Sequence, residues 1–110
     1  MAVVNMTRVR LGEHNDKAEW YSDVATLAAP GNSDYFLLPV RPALNNIGVE
    51  ITGGGTGNVE FTLGTPSELE ADTAVWTTWD GVSRVNPAVT AWRLNCSVAP
   101  KTARVIVKTV

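Results

Sequence analysis

Residues 47–63 read IGVEITGGGTGNVEFTL, and the fold class turns on what the central glycines do. On one side Ile47, Val49 and Ile51 alternate with Gly48, Glu50 and Thr52; on the other, Val59, Phe61 and Leu63 alternate with Glu60 and Thr62. A period of two sets each apolar group on one face of an extended chain, with Glu and Thr on the other. The segment between them, TGGGTGN, tolerates positive φ and carries little bulk, which predicts a hairpin. A phosphate-binding loop is the competing reading. The Walker pattern needs Lys followed by Ser or Thr, because the lysine charge must reach the phosphates; here Asn58, Val59 and Glu60 follow Gly57. A dinucleotide fingerprint needs a helix directly after its glycines, and here a strand follows. The loop turns the chain.

The same alternation recurs outward from this stretch. Ala103, Val105 and Val107 face one way and Arg104, Ile106 and Lys108 the other, with Ile106 implying that the second face is partly covered. Between Val89 and Cys96, Trp92, Leu94 and Cys96 make the more apolar side. AVWTTW at 74–79 is rich in residues that sheets favour. Further strands are expected at roughly 3–11, 18–27 and 34–40, the last ending near Pro39. One helical turn is expected near 66–71, because Thr65-Pro66-Ser67-Glu68 combines a capping residue, a proline at the first helical position and a glutamate three residues on. Turn signals separate the segments at 30–32, 42–46, 53–58, 80–81 and Pro100. The rhythm predicts an all-β protein: an antiparallel β-sandwich, jelly-roll-like or Ig-like, of seven or eight short strands with one helical turn. A chain of 110 residues fits a single domain, with residues 1–10 read as an N-terminal arm or edge strand.

Composition narrows the function classes. Nine basic and eleven acidic side chains give a formal charge of -2, and the basic residues are scattered from Arg8 to Lys108. A nucleic-acid binder would gather them on one face, so no nucleic-acid partner is expected. No apolar run approaches the ~18 residues of a membrane span, and MAVVNMTRVR lacks the pattern of a signal peptide. Cys96 is the only cysteine, which excludes an internal disulfide and suits synthesis in a reducing cytoplasm. The triplets Asn5-Met6-Thr7 and Asn95-Cys96-Ser97 match glycosylation acceptors, and without a secretory signal they read as chance.

Catalytic chemistry finds little to work with. His14, the single histidine, has Glu13, Asp16 and Glu19 nearby, yet tightly held zinc wants convergent His and Cys ligands. A solvated surface accounts for that cluster better. Cys96 as a nucleophile would need His14 as its base, and its neighbours Trp92 and Leu94 place it on a buried face instead. No serine sits in a Gly-x-Ser-x-Gly turn. Glu50 and Glu60, expected on one polar face of the hairpin, read as solvated charges rather than a glycosidase pair. The expectation is a protein that is not an enzyme, with no cofactor and no metal.

The tryptophans offer more. Trp20 and Tyr21 are adjacent, and Trp76 and Trp79 are three apart, so in strands each pair splits between two faces. An outward tryptophan can anchor a protein neighbour or stack on a sugar. The surrounding Thr, Ala and Val favour the protein contact. Trp76, Trp79 and Trp20, with Val3 and Val4 of the N-terminal segment, are the candidate interaction residues.

The stretches GNVEFTLGTPSELEADTAVWTTWDG (57–81), VNPAVTAWRLNCS (85–97) and ARVIVKTV (103–110) resemble a type of small β-sandwich virion protein of tailed bacteriophages. The resemblance covers about half of the chain. It implies a structural role without catalytic residues: a capsid decoration or cement protein that stabilises the shell, or a tail or fibre adaptor. The implied partners are the major capsid protein or another virion structural protein, together with further copies of the chain as a homo-oligomer. The implied location is the virion, after synthesis in the host cytoplasm. A small carbohydrate-binding module is the rival from a different class, resting on Trp20, Trp76 and Trp79.

Overall fold

The computed structural model describes residues 3–9, 19–39 and 46–109. They form an all-β fold of two sheets with one short helical turn. In chain order the strands are β1 (Val3–Asn5), β2 (Arg8–Val9), β3 (Glu19–Leu27), β4 (Gly31–Asn32), β5 (Tyr35–Leu37), β6 (Asn46–Thr52), β7 (Thr56–Thr62), β8 (Trp76–Thr78), β9 (Ala91–Val98) and β10 (Lys101–Thr109); the helical turn α1 (Pro66–Glu70) lies between β7 and β8. β2 and β4 have only two residues each, which leaves eight strands of three or more.

The six-stranded sheet runs β1-β5-β9-β7-β8, with β4 also on β9; the four-stranded sheet runs β2-β3-β10-β6. Every pairing is antiparallel except β1 with β5, which is parallel. The pairs nest like a folded ribbon: β3 with β10, β5 with β9, β7 with β8. β6 falls between β5 and β7, and the matching position on the return strand, residues 79–90, holds no strand.

The glycine run therefore does not close a hairpin, contrary to the expectation from its flanking alternation. β6 pairs with β10 in one sheet, and β7 pairs with β9 and β8 in the other, so residues 53–55 carry the chain across the sandwich. Alternation specifies which face a strand buries and leaves its partner open. The glycines are needed for close approach: a Cβ on Gly55 would strike the carbonyl oxygens of Val98 and Pro100, and one on Gly57 would strike that of Asn95. Gly55 N–H donates to Pro100 O at 2.8 Å, which seats the crossing on the β9–β10 turn. Glu50 and Glu60 consequently lie in different sheets. Glu50 stands across from Arg104, and Glu60 pairs with Arg93 at 2.7 Å.

Between the sheets the inward rows meet. Ala103 with Val105 and Val107 from β10, Trp92 with Leu94 from β9, Val59 with Phe61 from β7, Phe36 from β5 and Ala25 from β3 form one buried cluster. Phe36 and Trp92 stack with ring centroids 4.3 Å apart and planes 10° from parallel. The Trp92 indole N–H is buried there without a hydrogen-bond partner. Cys96 is buried as its strand pattern predicts. Residues 3–9 run from the edge of one sheet to the edge of the other, and Met6 between them enters the core. Thr7 fixes that passage by donating its N–H and hydroxyl to the Asp23 carboxylate at 2.6 and 3.1 Å.

A second, smaller cluster covers the outer face of the six-stranded sheet. Leu69 of α1 packs with Tyr35 and Ala91, flanked by Leu37, Ala74 and Trp76. The helical turn that delivers Leu69 begins with the capping box read in the sequence: Glu68 N–H donates to Thr65 Oγ1 at 3.3 Å, and Thr65 N–H donates to Glu68 Oε1 at 2.9 Å. Satisfying both donors lets a helix of five residues hold its place, with Leu69 as its anchor.

Candidate functional site

Trp76 and Trp79 lie on opposite faces of the six-stranded sheet and do not form one cluster. Trp76 belongs to the outer group under α1. The Arg93 guanidinium lies over its ring at 4.3 Å, and Tyr35 meets it at 6.3 Å with a 48° tilt. Arg93 is held in turn by Glu60, so one face of the Trp76 ring is occupied by a cation fixed in a largely buried ion pair. Trp79 turns inward and packs against the core while its Nε1–H donates to Ser83 O at 2.9 Å. The side chains of Trp20, Val3 and Val4 lie outside what the structure describes, as do His14 with Glu13 and Asp16. Among the described residues no three His, Cys, Asp or Glu side chains gather as a metal site, and no helix is long and apolar enough to cross a membrane.

Trp79 opens onto a groove of about 660 Å³, within the range of roughly 300–1,000 Å³ usual for binding clefts. Phe61, Trp79, Val85 and Val89 are its apolar walls, and these are also core residues. The groove is the mouth of the core, left open where residues 79–90 run as turns instead of a strand. Leu63 and Val75 line it too and are 62% and 78% exposed; Val82, on the turn that borders it, is 88% exposed. Leu63 and Val75 at the groove, with Val82 on the adjoining turn, are the three most exposed of the large aliphatic side chains among the described residues.

The polar groups beside the groove are mostly engaged with their own loops. Asp80 Oδ1 accepts the N–H groups of Val82 at 2.9 Å and Ser83 at 2.7 Å. Hydrogen bonds from the Ser83 hydroxyl, then from the Ser83 and Val82 backbone, hold the Asp80 carboxyl below the ordinary carboxylate range. Asn86 Oδ1 accepts Ala88 N–H at 2.9 Å, and Arg84 Nη2 donates to Asn46 Oδ1 at 3.3 Å. These bonds shape the 80–90 segment and tie it to the start of β6. The arrangement suits apolar contact better than orientation of a polar ligand.

Leu63, Val75 and Val82 were not singled out by sequence reading. By alternation Leu63 continues the row of Val59 and Phe61, but β7 ends at Thr62 and leaves it outside. For Val82 a signal existed: an aliphatic residue directly after Asp80-Gly81 sits in a turn, where nothing buries it. Comparison of the chain with protein-family models, with curated proteins and with solved structures returned no significant match.

Proposed function

We propose that the protein is a structural, non-catalytic component of a tailed-phage virion: a capsid decoration protein that binds the shell through the apolar rim of the groove and works in many copies. The observation that carries the reading is the exposure of Leu63 and Val75 at the groove and of Val82 on the turn beside it. A surface contact of that kind is individually modest, and a lattice of copies multiplies it through high effective concentration. The resemblance of residues 57–110 to small virion proteins supports the same reading. So does the finer fold we infer, a jelly roll rather than an immunoglobulin sandwich, because the strand pairs nest from the outside inward; capsid proteins and lectins both use that architecture. The major capsid protein is the proposed partner, and the virion the proposed location.

Co-sedimentation of the purified protein with undecorated shells of the phage that encodes it tests this. Saturable binding is expected, weakened at least about tenfold in Val75→Asp/Val82→Asp, since two charges would be desolvated at the contact. Both positions are exposed, so the variant should keep its fold. Absence of binding by the wild type overturns the reading, and undiminished binding by the variant removes the rim from it.

Trp79 in the groove is the one observation on the side of a carbohydrate-binding module. Its indole N–H is committed to Ser83, and Asp80 Oδ1 and Asn86 Oδ1 accept from their own loops, which leaves a poor polar shell for a sugar. A saturable tryptophan-fluorescence shift with one glycan, lost in Trp79→Ala, would favour that module.

A further inference from the structure

Four strands end the two sheets: β1 and β8 in one, β2 and β6 in the other. β1 and β8 have three residues each and β2 has two, short enough to offer a neighbouring chain little to pair with. β6 is different. It runs for seven residues, Asn46-Ile47-Gly48-Val49-Glu50-Ile51-Thr52, without Pro, Lys or a bulge against β10. Among the described residues its outer edge has no partner strand. The side chains agree with an edge position: Ala103, Val105 and Val107 of β10 are fully buried, whereas Ile47, Val49 and Ile51 face the same core and are only partly buried. In the nested order, residues 79–90 would supply the strand beside β6, and they form turns instead.

We propose that this edge pairs with β6 of a second copy, antiparallel about a two-fold axis through Val49. The occupant follows from the strand's polarity, which reads nearly alike in both directions from Val49. Pairing about that residue sets Val49 opposite Val49, Ile47 opposite Ile51, Gly48 opposite Glu50 and Asn46 opposite Thr52. Apolar residues meet apolar ones on the inner face, and each glutamate meets a glycine on the outer face. Glu50 also keeps Arg104 as its cross-strand neighbour within its own copy. Sliding the axis to Glu50 brings two glutamates together, which is unfavourable. Sliding by one residue sets inner against outer positions and breaks the facing of both strands. The register about Val49 is the one that pairs all seven residues of the strand, each with a compatible partner. The four-stranded sheets of two copies then join into one, closing the open side of both cores. The inference is independent of the virion reading and concerns the protein alone in solution.

The register supplies its own test. A Cβ on Gly48 meets nothing within 4 Å, so a side chain can leave the backbone there without a clash in the single chain. Gly48→Glu sets a glutamate opposite Glu50 of the second copy, twice per dimer by symmetry, and Gly48→Lys sets a lysine there. Analytical ultracentrifugation of the full chain should show a dimer for the wild type. The dimer dissociation constant should rise roughly tenfold in Gly48→Glu and fall in Gly48→Lys. Gly48→Glu/Glu50→Lys, which exchanges the pair, should recover the affinity lost in the single variant. Circular dichroism identical to wild type confirms that each variant is folded. A wild type that stays monomeric through millimolar concentration overturns the proposal. So does a dimer whose affinity ignores the sign of the charge at position 48, since it would assemble through another surface.

Discussion

Gly54 and Gly55 are adjacent in the crossing between the sheets and meet opposite surroundings. A Cβ on Gly54 finds open space, while one on Gly55 drives into the carbonyl oxygens of the β9–β10 turn. Gly54→Ala should therefore be neutral or stabilise by up to about 1 kcal/mol through the unfolded chain. Gly55→Ala should cost about 2 kcal/mol or more, as backbone must move to admit the methyl group. Urea denaturation of the two variants measures the contrast. A second residue-scale expectation concerns Asp80. Its carboxyl is held below the ordinary carboxylate range by hydrogen bonds from Ser83 and Val82, so it titrates at lower pH folded than unfolded. The turn's contribution is then fully present above the unfolded value of about 3.9 and is lost as pH falls through the folded value. An NMR titration of the Asp80 carboxyl should show the depressed midpoint, and Asp80→Asn should abolish this part of the acid dependence.

At the scale of elements, much of the fold was legible in the sequence and the pairing was not. Alternation at 47–51 and 103–107 marks strands whose apolar rows do face the core, and the Thr65-Pro66-Ser67-Glu68 signature marks a real helical turn. Both are local signals, set by backbone period and by capping chemistry. The hairpin expected around the glycine run does not form, because strands adjacent in sequence here pair in different sheets. β6 and β7 each bury an apolar row, but against one another across the sandwich rather than side by side. The polar face of β7 misled in the same way: Glu60 reads as a solvated charge, yet it is held by Arg93 against Trp76, and Thr62 on the same face is buried. Only the three-dimensional arrangement reveals that α1 and Trp76 cover that side. The cap itself is testable. Thr65→Ala should destabilise the protein by about 1 kcal/mol, read as a fall in Tm, because one orphan helix donor loses its acceptor.

At the scale of the whole molecule, among the described residues the two sheets leave a groove bordered by residues 79–90, and β6 is the one long strand at a sheet edge. The opposition of Trp76 and Trp79 was readable from their spacing, and the groove was not, because Leu63 and Val75 resemble core residues until the ends of β7 and β8 are known. Incomplete closure weakens a single copy and suits one that is completed by neighbours. In the proposed assembly those neighbours are a second copy along β6 and the capsid shell at the apolar rim. The proposed role as a multi-copy capsid decoration protein is checked by the copy number of the chain in purified virions, measured by quantitative mass spectrometry against the major capsid protein. The account predicts a fixed stoichiometric ratio to the capsid protein, persisting in tailless heads. Absence from virions, or a few copies that depart with the tail, would contradict it.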